Sequence, residues 1–295
     1  MNPKEISLVL SGGGARGIAH IGVINYLEKK GYKIKNIGGT SMGSIVGGIY
    51  AQGKLKEFEQ YLLKLDAKKI VQLLDFSISK PGLIKAEKIL KEMKKFLPID
   101  LIEEVPIPYF CVSTDLNHRQ EIIWRKGDML NAIHSSFAIP FIFTPVILED
   151  KILVDGGVMN NIPINHIDRE PLTIAVCANA GIPMDEELIK ITQETKKENY
   201  NKQKQTINKY LNKVLKMISN EGDKEKRLPG YYDILDNTLH IMIENNSKNI
   251  IKRYPPDILM NLPRDIAGTF DFLKAAELIK AGEYIAEKAI KEYYQ

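Results

Sequence analysis

From Ile6 to Cys177 the apolar positions of this chain switch back and forth between two periods. Ile6–Leu10 has strand character, after which Ile18, Ile21, Ile24 and Leu27 recur at the spacing of one helix face and stop near Gly31. Ile34–Gly38 predicts a second strand, and Met42, Ile45, Val46 and Ile49 a second helix that stops near Gly53. Leu55, Phe58, Leu62 and Leu65 continue the helical period, and a further helix is predicted over Ala86–Phe96, before Pro98. Tyr109–Thr114 and Glu121–Trp124 read as strands, as does Leu172–Cys177. Val146–Leu148 and Ile152–Val154 read as a hairpin with a polar turn between them. This alternation predicts βαβ units around a mostly parallel sheet.

Beyond Gly181 the pattern loosens. Ile207, Tyr210, Leu211, Val214, Leu215 and Ile218 fall on one helical stripe inside a Lys-rich segment. Leu239–Ile243 reads as a strand, Pro255-Pro256 interrupts the chain, and a terminal helix starts near Thr269. With no repeat or linker, residues 1–295 are expected to form one domain, with a motif-bearing core over about 5–180 and an elaborated helical part over about 181–295.

Such a chain buries a core without staples. Cys111 and Cys177 both sit in apolar runs, which marks them as buried core residues in a reducing compartment. The N-terminus has one short apolar run before glycines, against the ~20 apolar residues of a membrane span. A cytoplasmic protein is expected, at most peripheral to a membrane. The net charge of +4 is uneven, because residues 190–228 carry ten Lys and one Arg against five acids. The remainder is slightly acidic, which argues against a nucleic-acid partner. The plainer reading of the basic segment is a surface helix packed on the core; the sharper one is peripheral contact with an anionic membrane.

Gly12, Gly14 and Gly17 stand in the spacing G-x-G-x-x-G at the end of the first strand. A dinucleotide site also needs an acid at the end of the next strand, about 20 residues on, for the ribose hydroxyls. None is there, and no phosphate-binding G-x-x-x-x-G-K-[ST] occurs. The second strand ends instead in Gly39-Thr40-Ser41-Met42-Gly43, a G-x-S-x-G between strand and helix. Alone, this pentapeptide also reads as a helix start capped by Ser41. As a nucleophile elbow it would hold the serine in a strained turn, with glycines where a Cβ would clash. The successive amides of Gly12, Gly13 and Gly14 complement it: such donors contribute ~3 to 4 kcal/mol each to the oxyanion of an acyl-transfer intermediate. Parallel strands would bring both turns to one edge of the sheet.

Serine needs a base. Among the histidines, His20 lies in the first helix and His118 in a polar turn, while His134 and His166 sit near later motifs. His240 starts a predicted strand far from any glycine turn, and none of the five has the local setting of a triad histidine. Asp155 is the carboxylate candidate, a strand-end acid followed at once by Gly156-Gly157; Asp115, Asp128 and Asp150 read as turn residues.

In order and context, Ser11-Gly-Gly-Gly-Ala-Arg-Gly, Gly39-Thr-Ser-Met-Gly and Asp155-Gly-Gly resemble the patatin-like phospholipases over about residues 5–180. Ser113-Thr-Asp-Leu, Ser135-Ser-Phe-Ala-Ile-Pro and Pro145-Val resemble the family's segments between these motifs, and Asn160-Asn-Ile-Pro follows the aspartate as in relatives. The resemblance implies a three-layer α/β/α fold with a mostly parallel central sheet and a Ser-Asp dyad. Ser41 would be the nucleophile, Asp155 the base, and the amides of Gly12, Gly13 and Gly14 the oxyanion hole, with Arg16 fixing that loop or adding positive potential. Gly39 and Gly43 would frame the elbow, and Gly156 and Gly157 the aspartate turn. Lipid or phospholipid esters would be cleaved through an acyl-enzyme, with no metal and no cofactor. Phe141, where relatives often have Gly, and Ser135, where many have Ala, are departures expected to reshape the acyl pocket. Malonyl-type acyltransferases share such an elbow but pass the acyl group to a thiol, and a nucleotide-binding module or an inactive scaffold would use the glycines differently. The glycine loop and the Asp-Gly-Gly turn together favour the hydrolase.

Overall fold

The structure is a computed structural model that describes residues 4–73, 84–193, 200–207, 209 and 231–295. β1 (Lys4–Leu10), β2 (Tyr32–Thr40), β3 (Tyr109–Asp115), β4 (Gln120–Trp124), β5 (Val146–Leu148), β6 (Lys151–Asp155), β7 (Leu172–Ala180) and β8 (Ile258–Pro263) form one eight-stranded sheet. β3, β2, β1, β7 and β8 lie side by side and parallel in that order, whereas β4, β5 and β6 are joined antiparallel. Alternation along β1 sends Ile6, Leu8 and Leu10 to one face and Val9 to the other; β7 divides Ile174 and Val176 from Ala175 and Cys177 in the same way.

Around the sheet stand α1 (Ala19–Lys29), α2 (Met42–Ala51), α3 (Leu55–Leu63), α4 (Ala67–Leu73), α5 (Glu87–Met93), α6 (Met129–Phe137), α7 (Glu186–Gln193), α8 (Tyr231–Arg253) and α9 (Ala275–Tyr294). All but α8 send buried side chains into the larger core on one face. The other face is closed by Ile162, Ile164 and Ile167 and by Ile250 and Ile251 near the end of α8. This is the expected three-layer α/β/α arrangement. Cys111 and Cys177 are both buried and free. Among the described residues no helix is long and apolar enough to cross a membrane.

One expectation for the C-terminal third needs revision. Leu239–Ile243 is not a strand but lies inside the 23-residue helix α8. A five-residue apolar run fits either period, and here Ile241 (65% exposed) and Met242 (57% exposed) point away from the core, as a buried strand would not allow. A strand does occur later, at β8, which the preceding prolines disguise as loop. Of the basic segment's stripe, Ile207 is buried in the larger core, while Tyr210, Leu211, Val214, Leu215 and Ile218 lie outside the described residues. The segment's first part packs on the core, with Gln203 accepting the Ala67 amide at 3.0 Å and the Tyr200 hydroxyl donating to Asp271 at 2.7 Å.

β3 brings two distant strand ends together. β4 takes one of its edges from Cys111 to Asp115. The other edge is shared: β2 pairs with it as far as Thr40 opposite Val112, and β6 takes over with Asp155 opposite Ser113. β2 and β6 therefore meet end to end, and the residues at their junction are Ser41 and Asp155.

Candidate active site

Ser41 follows the last residue of β2 and precedes α2, with φ 54° and ψ −123°. A non-glycine residue adopts this left-handed conformation only when its surroundings impose it. Here the imposition is steric: a Cβ on Gly43 would stand 2.2 Å from the Leu10 carbonyl oxygen, and one on Gly39 2.4 Å from the Gly43 carbonyl. The start of α2 thus rests on the end of β1. Hydrogen bonds fasten the turn from the other side. Thr40 Oγ1 donates to the Asn160 carbonyl at 2.9 Å, and Ser136 Oγ accepts the Ser41 amide at 3.0 Å while donating to the Val112 carbonyl at 2.7 Å.

Asp155 closes β6 with its amide donating to the Ala138 carbonyl at 2.9 Å. Its carboxylate accepts the Gly157 amide at 2.7 Å, and the neighbouring Ser41 hydroxyl favours its ionised form. Gly156 lets the turn lie against β3, since a Cβ there would stand 2.2 Å from the Val112 carbonyl oxygen. Burial pushes the Asp155 carboxyl up to about 6, against the pull of the Ser41 hydroxyl and the Gly157 amide. A carboxylate so poised has the proton affinity of a base at neutral pH.

The glycine loop leaves β1 beside this pair. Ser11 anchors it, its amide donating to the Val176 carbonyl at 3.0 Å and its hydroxyl accepting the Ala178 amide at 2.8 Å. His20 Nε2 lies 2.8 Å from the Ser11 carbonyl, and burial lowers the imidazole to about 4, so it is neutral and donates there. Arg16 Nη1 donates to the Ala267 carbonyl at 2.9 Å, tying the loop to the C-terminal third. Of the amides expected to face an oxyanion, that of Gly12 is already engaged, donating to the Asn161 carbonyl at 3.0 Å. Gly13 and Gly14, the latter at φ 57°, remain as the available donors.

Two cavities meet at Ser41, with Gly14, Ile139 and Thr269 lining both. The first, about 140 Å³, is apolar and walled by Met42, Ile45, Phe58, Leu62, Met93 and Phe96. The second, about 50 Å³, is bordered by Asp155, Arg16, Asn161, Asn179 and His240. Neither departure from the family pattern lines the apolar cavity, which corrects the expectation that they reshape it. Ser135 Oγ sits 2.6 Å from Ser113 Oγ in a buried cluster that also takes the Trp124 indole N–H. Phe141 is exposed at φ 68°, a conformation that glycine adopts without strain.

The remaining histidines lie elsewhere, His134 packing on Phe137, His118 bonding Asp115 at 2.6 Å and His166 bonding Glu121 at 2.6 Å. His240 borders the second cavity, although its place in a strand-like run far from any glycine turn does not point there. Its signal was the helical spacing of Leu239, Ile243, Asn246 and Ser247, hidden by the strand-like run. Among the described residues no three His, Cys, Asp or Glu side chains are grouped to hold a metal ion.

Ser41 in its strained strand-to-helix turn, buried Asp155 at a strand end and the glycine loop thus come together on the wall of one cavity. The chain belongs to the patatin-like phospholipase family, whose model matches residues 8–168, and it is a lipid acyl hydrolase. An uncharacterized NTE family protein of Mycobacterium tuberculosis is 30% identical over 98% of this chain and 92% of its own length. Lysophospholipase NTE1 of Debaryomyces hansenii is 26% identical over 100% of this chain, which corresponds to 18% of that protein. Among solved structures, VipD from Legionella pneumophila aligns with a TM-score of 0.49 at 14% identity, over 99% of this chain and 67% of that one.

Proposed function

We propose that this chain releases fatty acid from single-chain phospholipids through an acyl-enzyme on Ser41. The observation that carries the reading is the placement of Ser41 and buried Asp155 on the wall of one cavity, with Ser41 also lining the apolar one. Ser41 Oγ attacks the ester carbonyl as Asp155 takes its proton, and the tetrahedral oxyanion is received by the Gly13 and Gly14 amides. Collapse expels the alcohol, which leaves with the proton held by Asp155. Water then attacks the acyl-Ser41 ester, Asp155 accepts its proton, and the acid departs as Ser41 is regenerated. Burial of the acyl chain among Phe58, Leu62 and Phe96 contributes about 0.8 kcal/mol for each methylene taken from water. The name of the yeast relative supports a one-chain substrate, and the apolar lining of the first cavity supports an acyl chain beside Ser41.

A fluorophosphonate probe tests the reading directly. The adduct is expected on the peptide bearing Ser41, with fatty-acid release from a lysophospholipid in parallel; an adduct elsewhere, or no release by folded enzyme, would overturn it. The basic segment over residues 190–228 is further proposed to hold the enzyme at an anionic bilayer. Binding to vesicles of anionic lipid should fall as salt rises, and binding indifferent to lipid charge and salt would remove this part.

A further inference from the structure

An ester places its acyl chain and its alcohol on opposite sides of the carbonyl carbon. With the acyl chain in the apolar cavity, the alcohol enters the second cavity, which shares Ser41, Gly14, Ile139 and Thr269 with the first. The charged side chains on its wall are Arg16 and the base Asp155, and His240 adds an imidazole. Arg16 supplies a fixed positive charge, while an imidazole N–H donates to an anionic oxygen in either protonation state.

His240 faces this cavity because the rotation of α8 about its own axis is fixed. One to two turns further on, Asn246 Nδ2 donates to the Met159 carbonyl at 3.1 Å and Ser247 Oγ accepts from Asn161 Nδ2 at 3.3 Å. Ile243, between them, lines the same cavity and would be 3.7 Å from a Cβ on Gly157, next to the catalytic turn. Residues 240, 243 and 247 therefore form one stripe turned toward Asp155, with Ile241 and Met242 on the solvent side.

We infer that His240 is a specificity-determining residue that binds a phosphate on the leaving alcohol, so that single-chain esters of a phosphorylated glycerol are preferred over neutral monoglycerides. This rests on the acyl-hydrolase reading above and names the alcohol half of its substrate. The phosphate takes no part in bond making; it holds the alcohol with its ester carbonyl at Ser41.

Chain-matched 1-acylglycerol 3-phosphate and 1-acylglycerol, presented in the same neutral detergent, test it in wild type, His240→Gln and His240→Arg. The wild type is expected to prefer the phosphorylated ester at least tenfold in kcat/KM. His240→Gln should lower that ratio about tenfold, mainly through KM of the phosphorylated ester, and His240→Arg should restore it. Free glycerol 3-phosphate should inhibit the wild type more strongly than the Gln variant. A wild type without preference, or a ratio unmoved by His240→Gln, overturns the inference while leaving the hydrolase reading standing. Release of fatty acid from neither ester overturns both.

Discussion

Ser41→Ala is expected to stop fatty-acid release, with kcat/KM falling on the order of 10⁴-fold or more. The substitution removes the attacking oxygen and nothing else of consequence. Alanine keeps the Cβ, so the contacts that force φ 54° on this position are unchanged, and the anchors at Thr40 and Ser136 do not involve the hydroxyl. The melting temperature should therefore stay close to that of the wild type, while labelling by the fluorophosphonate disappears. Retained hydrolysis by the variant would sink the proposed nucleophile.

Asp155→Asn should separate activity from stability. Loss of the base is expected to cost about 10³- to 10⁴-fold in kcat. Wild-type activity should rise with pH through a midpoint near 6, because the proton acceptor is the ionised carboxylate. Stability runs the other way. A buried acid whose folded value is raised stabilises the fold fully at pH below its ordinary value, and that contribution is lost as pH rises through the folded one. A rise from 3.8 to about 6 corresponds to about 3 kcal/mol of cost for holding the charge in place above pH 6. Asparagine carries no charge, and its Oδ1 can still accept the Gly157 amide. The variant should therefore melt higher than the wild type at pH 7 to 8, with the difference vanishing near pH 4, as thermal melts across that range will read. A variant that melts lower at pH 8 would mean that the carboxylate is structural.

These outcomes hinge on a pair of residues that the chain separates widely. The elbow was legible in the sequence because its residues are contiguous: Gly39 is required by its contact with Gly43 four residues on, although Gly43 itself is required by Leu10 of β1. The alternating faces of β1 and β7 and the spacing of α1 and α2 were legible for the same reason, as burial repeats with the period of the element. The Lys-rich segment and the Leu239–Ile243 run were less so. A short apolar run takes the conformation that its neighbours in space reward, and α8 is held by Asn246, Ser247, Ile250 and Ile251 packing on the site and the sheet.

By itself, the sequence determined the chemistry on offer: a serine in a strained turn, a strand-end aspartate, and a loop of exposed glycine amides. Only the tertiary structure decided which of these groups meet and which are already taken. β3 lends one edge to both β2 and β6, and that sharing, invisible in either strand, sets Asp155 against Ser41. Asn161 takes the Gly12 amide, leaving Gly13 and Gly14, and α8 turns His240 toward the alcohol side. Hydrogen-bond partners and register are chosen by segments far apart in the chain, so local pattern cannot carry them.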